Sequence, residues 1–527
     1  MTLLLLMLLP LIAGIVVALL PAGRDLLAKQ IALGVSLVVL VGTLLLAVGF
    51  DADGDRFQQV LSYTWVEDFG VRFSLGVDGI AVVLIALIGV LVPLVIAASW
   101  NDESTGGRTG PAGEREHTAG AHRSAAGGGR SMKAFFAWLL VLETTMIGVF
   151  AATDIFLFYV FFEVMLVPMY FLIGSFGGPR RHYAAVKFFL YSLLGGLIML
   201  ASVIGLFVVS NSQLGQGTFA FDALRQLDID PTTQRWLFLG FFIAFAIKAP
   251  LVPFHTWLPD AGAEAPIGGA VLLVGVLDKV GTFGFLRYCL PLFPDASRFF
   301  APFVLTLSVL GIFYGALLAM GQSDMKRLLA YTSIAHFGFI GLGIFAFTSQ
   351  AGVGAVLYMV NHGISTGALF IVVGILINRR GSRLVSDYGG LATVTPLLGG
   401  VFLIAGLSSL ALPGTNSFVS EFLVLIGAYT TQPVFTILAA IGIILAALYI
   451  LLMYQRTMHG PVNPVLATTR DLDRRELAVL GPLVALILVL GVYPKPIIDI
   501  ITPAVDATMV DLGTSDPGAS VADEGGN

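Results

Sequence analysis

Three lysines lie inside long apolar stretches of this sequence, where a charged side chain is costly. Lys187 is found in AAVKFFLYSLLGG, Lys248 in GFFIAFAIKAPLVPF and Lys279 in VLLVGVLDKVGTFGF, and the whole chain has only seven lysines. A charged lysine at the centre of a membrane helix costs about 2.5–3.5 kcal/mol. Because lysine, unlike arginine, can lose its proton in a protein interior, the pattern predicts groups that take up and release protons.

Acidic residues and histidines accompany these lysines in the apolar stretches. They are Glu143, Glu163, Asp278, Glu421, His255, His336 and His362. A lysine near a carboxylate in a low-dielectric interior is balanced between its charged and neutral forms, so movement or neutralisation of the carboxylate shifts that balance. A set of such groups along most of the chain predicts a gated proton path, since ionisable residues inside a membrane are functional by default.

Some of these residues have a second interpretation. An ion pair that only holds two helices together explains a single pair as well as a proton path does. Asp278 and Lys279 are adjacent, so on a helix their side chains point about 100° apart. We therefore expect each to find partners on other helices rather than to pair directly. Asp278 can be a non-conducting partner, and His255, which lies near a helix end, can equally position its neighbours.

Two of the apolar stretches are interrupted by helix-breaking residues. The predicted breaks are at Pro250, Pro253, Pro413 and Gly414. The first two follow Lys248 and the last two precede Glu421, so each break lies beside an ionisable group. Proline removes a main-chain hydrogen bond and clashes with the preceding turn, which breaks or kinks a helix. Paired breaks in corresponding halves are typical of inverted-repeat transporters.

An all-α polytopic membrane fold must position these residues. Hydrophobic residues make up 57% of the 527 residues and charged residues 12%, about half the charge content of soluble proteins. Since a membrane helix needs about 20 apolar residues, the chain supplies about 14 such helices. The predicted organisation is two inverted five-helix repeats, each with a broken helix, between flanking helices. The ranges are 1–100 for three N-terminal helices, 134–289 and 298–456 for the repeats, and 475–494 for the last helix.

Two segments are predicted to lie outside the bilayer without regular structure. Residues 101–133 are rich in small and charged residues and predict a flexible cytoplasmic loop, and residues 503–527 predict a disordered tail. Loops after odd-numbered helices carry 18 of the 28 lysines and arginines, whereas the other loops carry 7, Arg287 among them. The positive-inside rule then places both termini on the outer side of a bacterial inner membrane.

The composition excludes several kinds of chemistry for this polypeptide. Cys289 is its one cysteine, which excludes an internal disulfide framework, a cysteine-ligated iron–sulfur cluster and a structural zinc site built from cysteines. Neither a phosphate-binding loop nor a dinucleotide fingerprint occurs in the sequence. We therefore expect no cofactor, no metal and no nucleic-acid partner for this chain.

Four long segments resemble the antiporter-like, proton-translocating subunits of respiratory complex I. They are FYVFFEVMLVPMYFLIG, FFIAFAIKAPLVPFHTWLPDAGAEAP, DMKRLLAYTSIAHFGFIGLG and LPGTNSFVSEF. The resemblance runs from residue 73 to about residue 500, and only 101–133 departs from it. Two features narrow the resemblance to one type of these subunits. Position 421 is a glutamate, where other large members usually carry lysine, and the segment after the last predicted helix is short.

The resemblance assigns roles to residues of this sequence. The functional positions of the family are matched by Glu163, Lys248, Lys279 and Glu421. Further polar positions are matched by Lys187, His336 and His362, and a weaker match is Glu143. It implies that Lys248 switches charge as its pairing with Glu163 changes, that Lys279 relays protons, and that Glu421 faces the outlet or a neighbouring subunit. It also implies that NADH, flavin, iron–sulfur clusters and quinone bind to other subunits, and that two antiporter-like subunits flank this chain.

Three other functions fit the same sequence features. The first is a subunit of a multisubunit sodium/proton antiporter, which sodium-stimulated pH change in vesicles without other complex I subunits would favour. The second is a passive spacer, for which loss of the buried charges disturbs assembly but not coupling. The third is a component of a membrane-bound hydrogenase, which the length and the glutamate at 421 fit less well.

Overall fold

The computed structural model describes residues 1–101 and 131–516 of the chain. Most of the predicted loop 101–133 and the last part of the predicted tail, residues 517–527, therefore lie outside the described residues. Within the described ranges, twelve helices are long and apolar enough to cross a membrane. The predicted all-α polytopic fold is confirmed, whereas the number of fourteen spans and the inverted relation between two repeats stay predictions.

The N-terminal part consists of three helices and one hairpin. Its elements are α1 (Thr2–Leu19), α2 (Asp25–Val48), β1 (Gln58–Val66), β2 (Val71–Val77) and α3 (Gly79–Ala98). The strands pair antiparallel, with Tyr63 opposite Phe73, and a short 3₁₀ turn ending at Gly70 in the left-handed region joins them. The sequence analysis missed this hairpin, because much of β1 is exposed and its side chains lack the one-sided apolar alternation that identifies a strand.

The middle of the chain, in the range of the first predicted repeat, holds ten helices of very different length. They are α4 (Met132–Ala151), α5 (Ile155–Val164), α6 (Leu166–Phe176), α7 (Arg181–Leu214), α8 (Phe221–Leu224), α9 (Pro231–Lys248), α10 (Trp257–Glu264), α11 (Ile267–Leu272), α12 (Lys279–Gly284) and α13 (Leu290–Leu292). The last three belong to one continuous helical segment, Ile267–Leu292, in which Leu273–Leu277 and Phe285–Cys289 are wound as π-helix. All of this segment after Ile267 is buried, which makes it the centre of the bundle.

The C-terminal part contains the remaining helices. They are α14 (Pro294–Met320), α15 (Met325–Phe345), α16 (Ser349–Arg380), α17 (Leu391–Val394), α18 (Pro396–Ser409), α19 (Asn416–Tyr429), α20 (Pro433–Met458), α21 (Arg474–Val492) and α22 (Lys495–Leu512). Helices α15 and α16 are almost wholly buried, whereas α14, α20 and α21 expose many large apolar side chains at the periphery. A buried inner layer surrounded by an apolar outer layer is what a membrane-embedded bundle requires.

Both apolar stretches that carry helix-breaking residues are interrupted in the structure. Helix α9 ends at Lys248 and α10 begins at Trp257, with Pro250 and Pro253 between them. The main-chain carbonyl of Ile247, which this interruption frees, accepts a hydrogen bond from the indole N–H of Trp257 at 2.7 Å. Such freed carbonyls are tolerated at membrane depth only where protein or water satisfies them.

The second interruption lies between α18, which ends at Ser409, and α19, which begins at Asn416. Pro413 and Gly414 fall in this gap, and Gly414 adopts φ 92°, a conformation that favours glycine. The carbonyl of Leu407 accepts a hydrogen bond from the Leu412 N–H at 3.0 Å, so the chain turns back on its own helix end.

The C-terminal helix α22 corrects the prediction of a disordered tail from residue 503. Residues 495–512 form a helix that continues through Pro503, with Ile501, Val505 and Met509 buried on one face. Buried apolar residues recur at every fourth position, which is a helical pattern. The composition of the last residues of the chain obscured this pattern in the sequence. Helix α22 is fixed by Asp511, which pairs with Arg56 at 2.5 Å and with Arg225 at 2.8 Å.

Arg287 also corrects the count of basic residues in the loops. It was counted in an outer loop, but it lies in the second π segment and is 1% exposed. Its guanidinium is 2.6 Å from the carboxylate of Asp78, which caps the N-terminus of α3. Lys326, counted in a cytoplasmic loop, is likewise buried near the start of α15 and donates to the Ala265 carbonyl. The excess of positive charge on the loops after odd-numbered helices keeps its direction without these two residues.

We predict that Asp511→Ala loosens α22. The variant removes the carboxylate that two arginines share, and hydrogen bonds to charged groups contribute about 1.5–3 kcal/mol each. A loss of about 2 kcal/mol raises the open population of the helix about 30-fold, which hydrogen exchange of the amides of residues 495–512 measures.

Asp499→Ala serves as the control for this prediction. Within the described ranges Asp499 pairs only with Lys495 on the same helix, and both side chains are more than half exposed, so its loss should cost less than about 1 kcal/mol. Equal exchange rates in the two variants would contradict the role given to Asp511.

Candidate functional site

Lys248 and Glu163 form the first group of buried ionisable residues. Lys248 is the last residue of α9 and is 1% exposed, and Glu163 lies near the end of α5. Among the described residues, no hydrogen-bonding partner contacts the Lys248 ammonium. Its Nζ atom instead lies 4.8 Å from the ring centre of Phe162 and 5.7 Å from that of Phe188. Aromatic faces of this kind stabilise a cation without fixing it by a hydrogen bond.

Glu163 is close enough to Lys248 for the two charges to attract each other through space. The carboxylate reaches this place only because α7 carries a glycine opposite it. A Cβ atom at Gly196 would lie 1.5 Å from Oε1 of Glu163, so any other residue there would displace the carboxylate. Gly196 on α7 thus sets the position of the Glu163 carboxylate on α5. Glu163 and Lys248 lie near each other but are not in direct contact.

Lys187 has a direct partner that the sequence analysis did not select. Its ammonium lies 2.7 Å from a carboxylate oxygen of Asp260 in α10, and the other oxygen of Asp260 lies 2.8 Å from Arg327 in α15. Asp260 therefore joins α7, α10 and α15 in one ion-pair triad beside the interruption after α9. The position of Asp260 three residues after Trp257 at a helix start gave no signal of this role.

Lys279 is the most completely bonded of the three lysines. Its ammonium donates to the Val274 carbonyl at 2.5 Å and to Asp278 at 3.0 Å, and it lies 2.6 Å from Nδ1 of His362 in α16. An ammonium has three protons to donate, and these three acceptors use all of them.

The contact between Asp278 and Lys279 contradicts our expectation that they do not pair directly. Their Cα–Cβ bonds do diverge, but the lysine stem has four carbons and folds back toward the preceding turn. That turn is the π segment Leu273–Leu277, which is wider than an α-helix and leaves the Val274 carbonyl available to the ammonium. The same fold brings Nζ to the neighbouring carboxylate. Lys279 does also reach another helix, as we expected, through His362.

His336 and Glu421 are joined by a residue that the sequence analysis missed. The hydroxyl of Tyr358 in α16 lies 2.8 Å from Nδ1 of His336 in α15 and 2.7 Å from Oε2 of Glu421 in α19. All three side chains are buried. Tyr358 lies one helical turn before His362, and this i, i+4 spacing on a helix was the signal that could have identified it.

The rings of His362 and His336 connect these two sets of contacts. Their centres are 5.2 Å apart, and the remaining nitrogens face hydroxyls: Nε2 of His362 lies 3.2 Å from Ser333, and Nε2 of His336 lies 3.3 Å from Ser409. A sequence of polar groups therefore runs from Asp278 through Lys279, His362, His336 and Tyr358 to Glu421, which we call the buried polar chain. Hydrogen bonds join its members except between the two histidines.

A second polar network holds the interruption before α19 against α16. Asn416, the first residue of α19, accepts a hydrogen bond from Ser408 at 2.6 Å and contacts Asn361 through its side-chain amide at 3.2 Å. Ser365 in turn lies 2.6 Å from Ser408. These small polar residues fix the end of the helix that carries Glu421, and the sequence analysis did not select them.

Glu143 and His255 are placed apart from the buried polar chain. Both carboxylate oxygens of Glu143, in α4, are buried without a hydrogen bond to any described residue. His255 lies in the interruption after α9, its ring centre is 4.9 Å from that of Tyr314, and within the described part of the chain its Nδ1 atom has no partner. The structure therefore brings together Asp278, Lys279, His362, His336 and Glu421, and it leaves Glu143 and His255 outside that set.

The described residues contain no group of three or more His, Cys, Asp or Glu side chains that could hold a metal ion. Lysine and histidine in hydrogen-bonded contact with carboxylates and hydroxyls can instead accept and donate protons. The chemistry that this arrangement supports is proton transfer.

Known proteins resemble this chain over nearly its whole length. Residues 152–447 match the family described as "NADH:quinone oxidoreductase/Mrp antiporter, TM". NADH-quinone oxidoreductase subunit M of Mycobacterium tuberculosis is 49% identical over 526 residues, covering 98% of this chain and 95% of the relative. Subunit M of Rhodobacter capsulatus is 39% identical, with 96% of each chain covered.

A solved structure gives the same result. A chain of respiratory complex I from Thermus thermophilus with bound NADH aligns with a TM-score of 0.85 and 30% identity, covering 98% of this chain and 100% of that one. Sequence and structure thus agree from the first helix to the last. This chain belongs to the family of NADH:quinone oxidoreductase and Mrp antiporter membrane subunits.

Proposed function

We propose that this chain is the M-type proton-translocating subunit of an NADH:quinone oxidoreductase and that its buried lysines, carboxylates and histidines carry the protons. Its family membership and its identity of 49% to a subunit M support the first part. The observation that carries the second part is the buried polar chain from Asp278 to Glu421, which crosses four helices with hydrogen bonds at all but one step.

Lys248 is the residue whose charge switches. It is buried against two aromatic rings with Glu163 nearby but not bonded, so a small movement of either side chain changes the balance between the charged and neutral amine. A hydrogen bond to a fixed acceptor would favour the charged form of Lys248 throughout the cycle. The loose contact is what a gated step requires.

Lys279 passes protons along the axis through His362 and His336, and Glu421 delivers them to the outlet or to the next subunit. Lys187 is held by Asp260 beside the interruption after α9 and is a further member of the path. Asp278 orients Lys279, whereas Glu143 and His255 are secondary members of the path. The roles of Glu163, Lys248, Lys279 and Glu421 are the ones that the sequence resemblance implied.

The redox chemistry belongs to other subunits. NADH, FMN, iron–sulfur clusters and quinone bind elsewhere in the complex, and this chain lies between two other antiporter-like subunits in the membrane. The excess of lysine and arginine on the loops after odd-numbered helices supports a position in a bacterial inner membrane with both termini on the outer side. The exposed apolar faces of α2, α7 and α20 are the surfaces available to lipid and to these neighbours.

We predict that both Lys248→Ala and Lys248→Arg abolish proton pumping in the assembled complex. Arginine keeps the positive charge but cannot release its proton, so a charge that only holds helices together would be preserved in that variant. The expected loss is at least about 100-fold, since a positioned proton-transfer group contributes about 10²–10⁴-fold. Membrane vesicles report it as NADH oxidation and as formation of a proton gradient.

Lys326→Arg is the matched control, because Lys326 is also buried but its ammonium donates to the Ala265 carbonyl, an interaction that arginine can make. It should keep pumping near the parent level. If Lys248→Arg pumps as well as the parent chain, Lys248 does not exchange protons. If both Lys248 variants pump normally, the chain is a passive spacer and the proposed function is wrong.

We also predict that Gly196→Ala lowers pumping by moving the Glu163 carboxylate. The added methyl group would occupy the place of Oε1, so the carboxylate must turn away from Lys248. Gly205→Ala on the same helix is the control, because its methyl group meets only the end of the flexible Leu237 side chain.

Both alanines favour the helix by about 1 kcal/mol relative to glycine, so helix stability does not separate the two variants. Coupled NADH oxidation in vesicles measures the difference. An equal effect of the two substitutions would show that the position of Glu163 does not control pumping.

A further inference from the structure

We propose that the hydroxyl of Tyr358 carries the proton between His336 and Glu421, by passing on one proton as it receives another. This inference rests on the proposed function and names the residue that completes its last step. Without Tyr358, His336 and Glu421 have no direct hydrogen bond, because the tyrosine hydroxyl is the atom that contacts both of them.

The geometry fits a relay at this residue. The two contacts of the hydroxyl, at 2.8 Å and 2.7 Å, are both within normal hydrogen-bond length. Tyr358 is fully buried, and its ring packs against those of His336 and Phe339. The hydroxyl is therefore held in one place, with one neighbour on each side.

The hydroxyl has one proton, which fixes the direction of both hydrogen bonds. While Glu421 is a carboxylate, Tyr358 donates to it, so the hydroxyl oxygen must accept the N–H of His336 at Nδ1. In this state Nε2 of His336 is free to accept a proton, and the Ser409 hydroxyl lies 3.3 Å from it. The ionised form of Glu421 thus prepares His336 to receive a proton at Nε2, beside the Ser409 hydroxyl.

Arrival of a proton at Nε2 makes His336 an imidazolium, and a balanced transfer follows. The Nδ1–H bond breaks as a new O–H bond forms on Tyr358, while the original O–H bond of Tyr358 breaks as Glu421 gains a proton. His336 becomes neutral with its proton on Nε2, Tyr358 ends as a neutral phenol, and Glu421 ends as a neutral acid. One proton has moved from imidazolium to carboxylate, and no electron has been transferred.

Replacement of the hydroxyl tests this step in the complete complex in membrane vesicles. We expect Tyr358→Phe to assemble, since it keeps the buried ring, and to lower coupled NADH oxidation and pumping about 100-fold or more, because a positioned proton-transfer group contributes about 10²–10⁴-fold. Tyr288→Phe is the matched control. It removes another buried hydroxyl, whose one hydrogen bond among the described residues is to the main-chain carbonyl of Ala152, and should change pumping less than twofold.

A tyrosine that only holds Glu421 in place would also fail as phenylalanine, so a second measurement separates the two roles. Incorporation of 3,5-difluorotyrosine at position 358 keeps the ring and the hydroxyl but makes the phenol more acidic. If the hydroxyl passes protons, pumping is restored and its pH profile differs from that of the parent chain. Restored pumping with an unchanged pH profile would reduce Tyr358 to a tether and overturn the proposal.

The Lys248 variants distinguish failure of this inference from failure of the proposed function. If Tyr358→Phe pumps normally while Lys248→Arg does not, the proton bypasses Tyr358 and only the present inference is wrong. If both variants pump normally, the proton path through this chain is wrong as a whole.

Discussion

The ammonium group of Lys279 is the contact on which the centre of this bundle depends. Its side chain has zero exposure, and an ammonium with unused protons costs several kcal/mol at such a buried position. The Val274 carbonyl, the Asp278 carboxylate and the His362 ring remove that cost and at the same time tie the segment Ile267–Leu292 to α16. Removal of any one acceptor would leave a buried charge that the others satisfy only in part.

The close approach of helices around Lys279 follows from glycines on its own segment and on α16. A Cβ atom at Gly281 would lie 2.5 Å from the main chain of α9, and one at Gly363 would lie 2.8 Å from the carbonyl of Gly275. Lys279 therefore lies in a segment that packs directly on the main chain of α9 and α16. Small residues that allow helices to approach each other are typical of membrane bundles, where packing replaces the hydrophobic effect as the force between helices.

The ionisable groups divide into those with fixed partners and those without. Lys187, Arg327 and Asp260 form a closed triad, and Lys279 uses all of its protons. In the described part of the chain, Lys248 is held only by aromatic faces and through-space attraction, although it is just as deeply buried. The groups with fixed partners hold the helices of the bundle together. Lys248 has no fixed partner among the described residues, so a change of its charge requires the least reorganisation of its surroundings.

The sequence by itself determined which groups lie at membrane depth and where two helices are interrupted. Lys248, Lys279 and Glu421 are conspicuous because charge is rare in apolar stretches, and proline identifies a break from local geometry alone. Only the tertiary structure decided which groups meet. Lys279 and His362 are 83 positions apart, and Tyr358 and Glu421 are 63 apart, and no local pattern specifies contacts across that distance.

The tertiary structure also decided the cases in which local reasoning was wrong. Asp278 and Lys279 pair because a π segment and a long side chain override the angle between neighbouring residues. Helix α22 is held against the bundle by its buried apolar face and by Asp511, which pairs with Arg56 and Arg225 from distant segments. Tyr358 resembled an ordinary core aromatic in the sequence, since its role depends on a histidine and a glutamate that other helices supply.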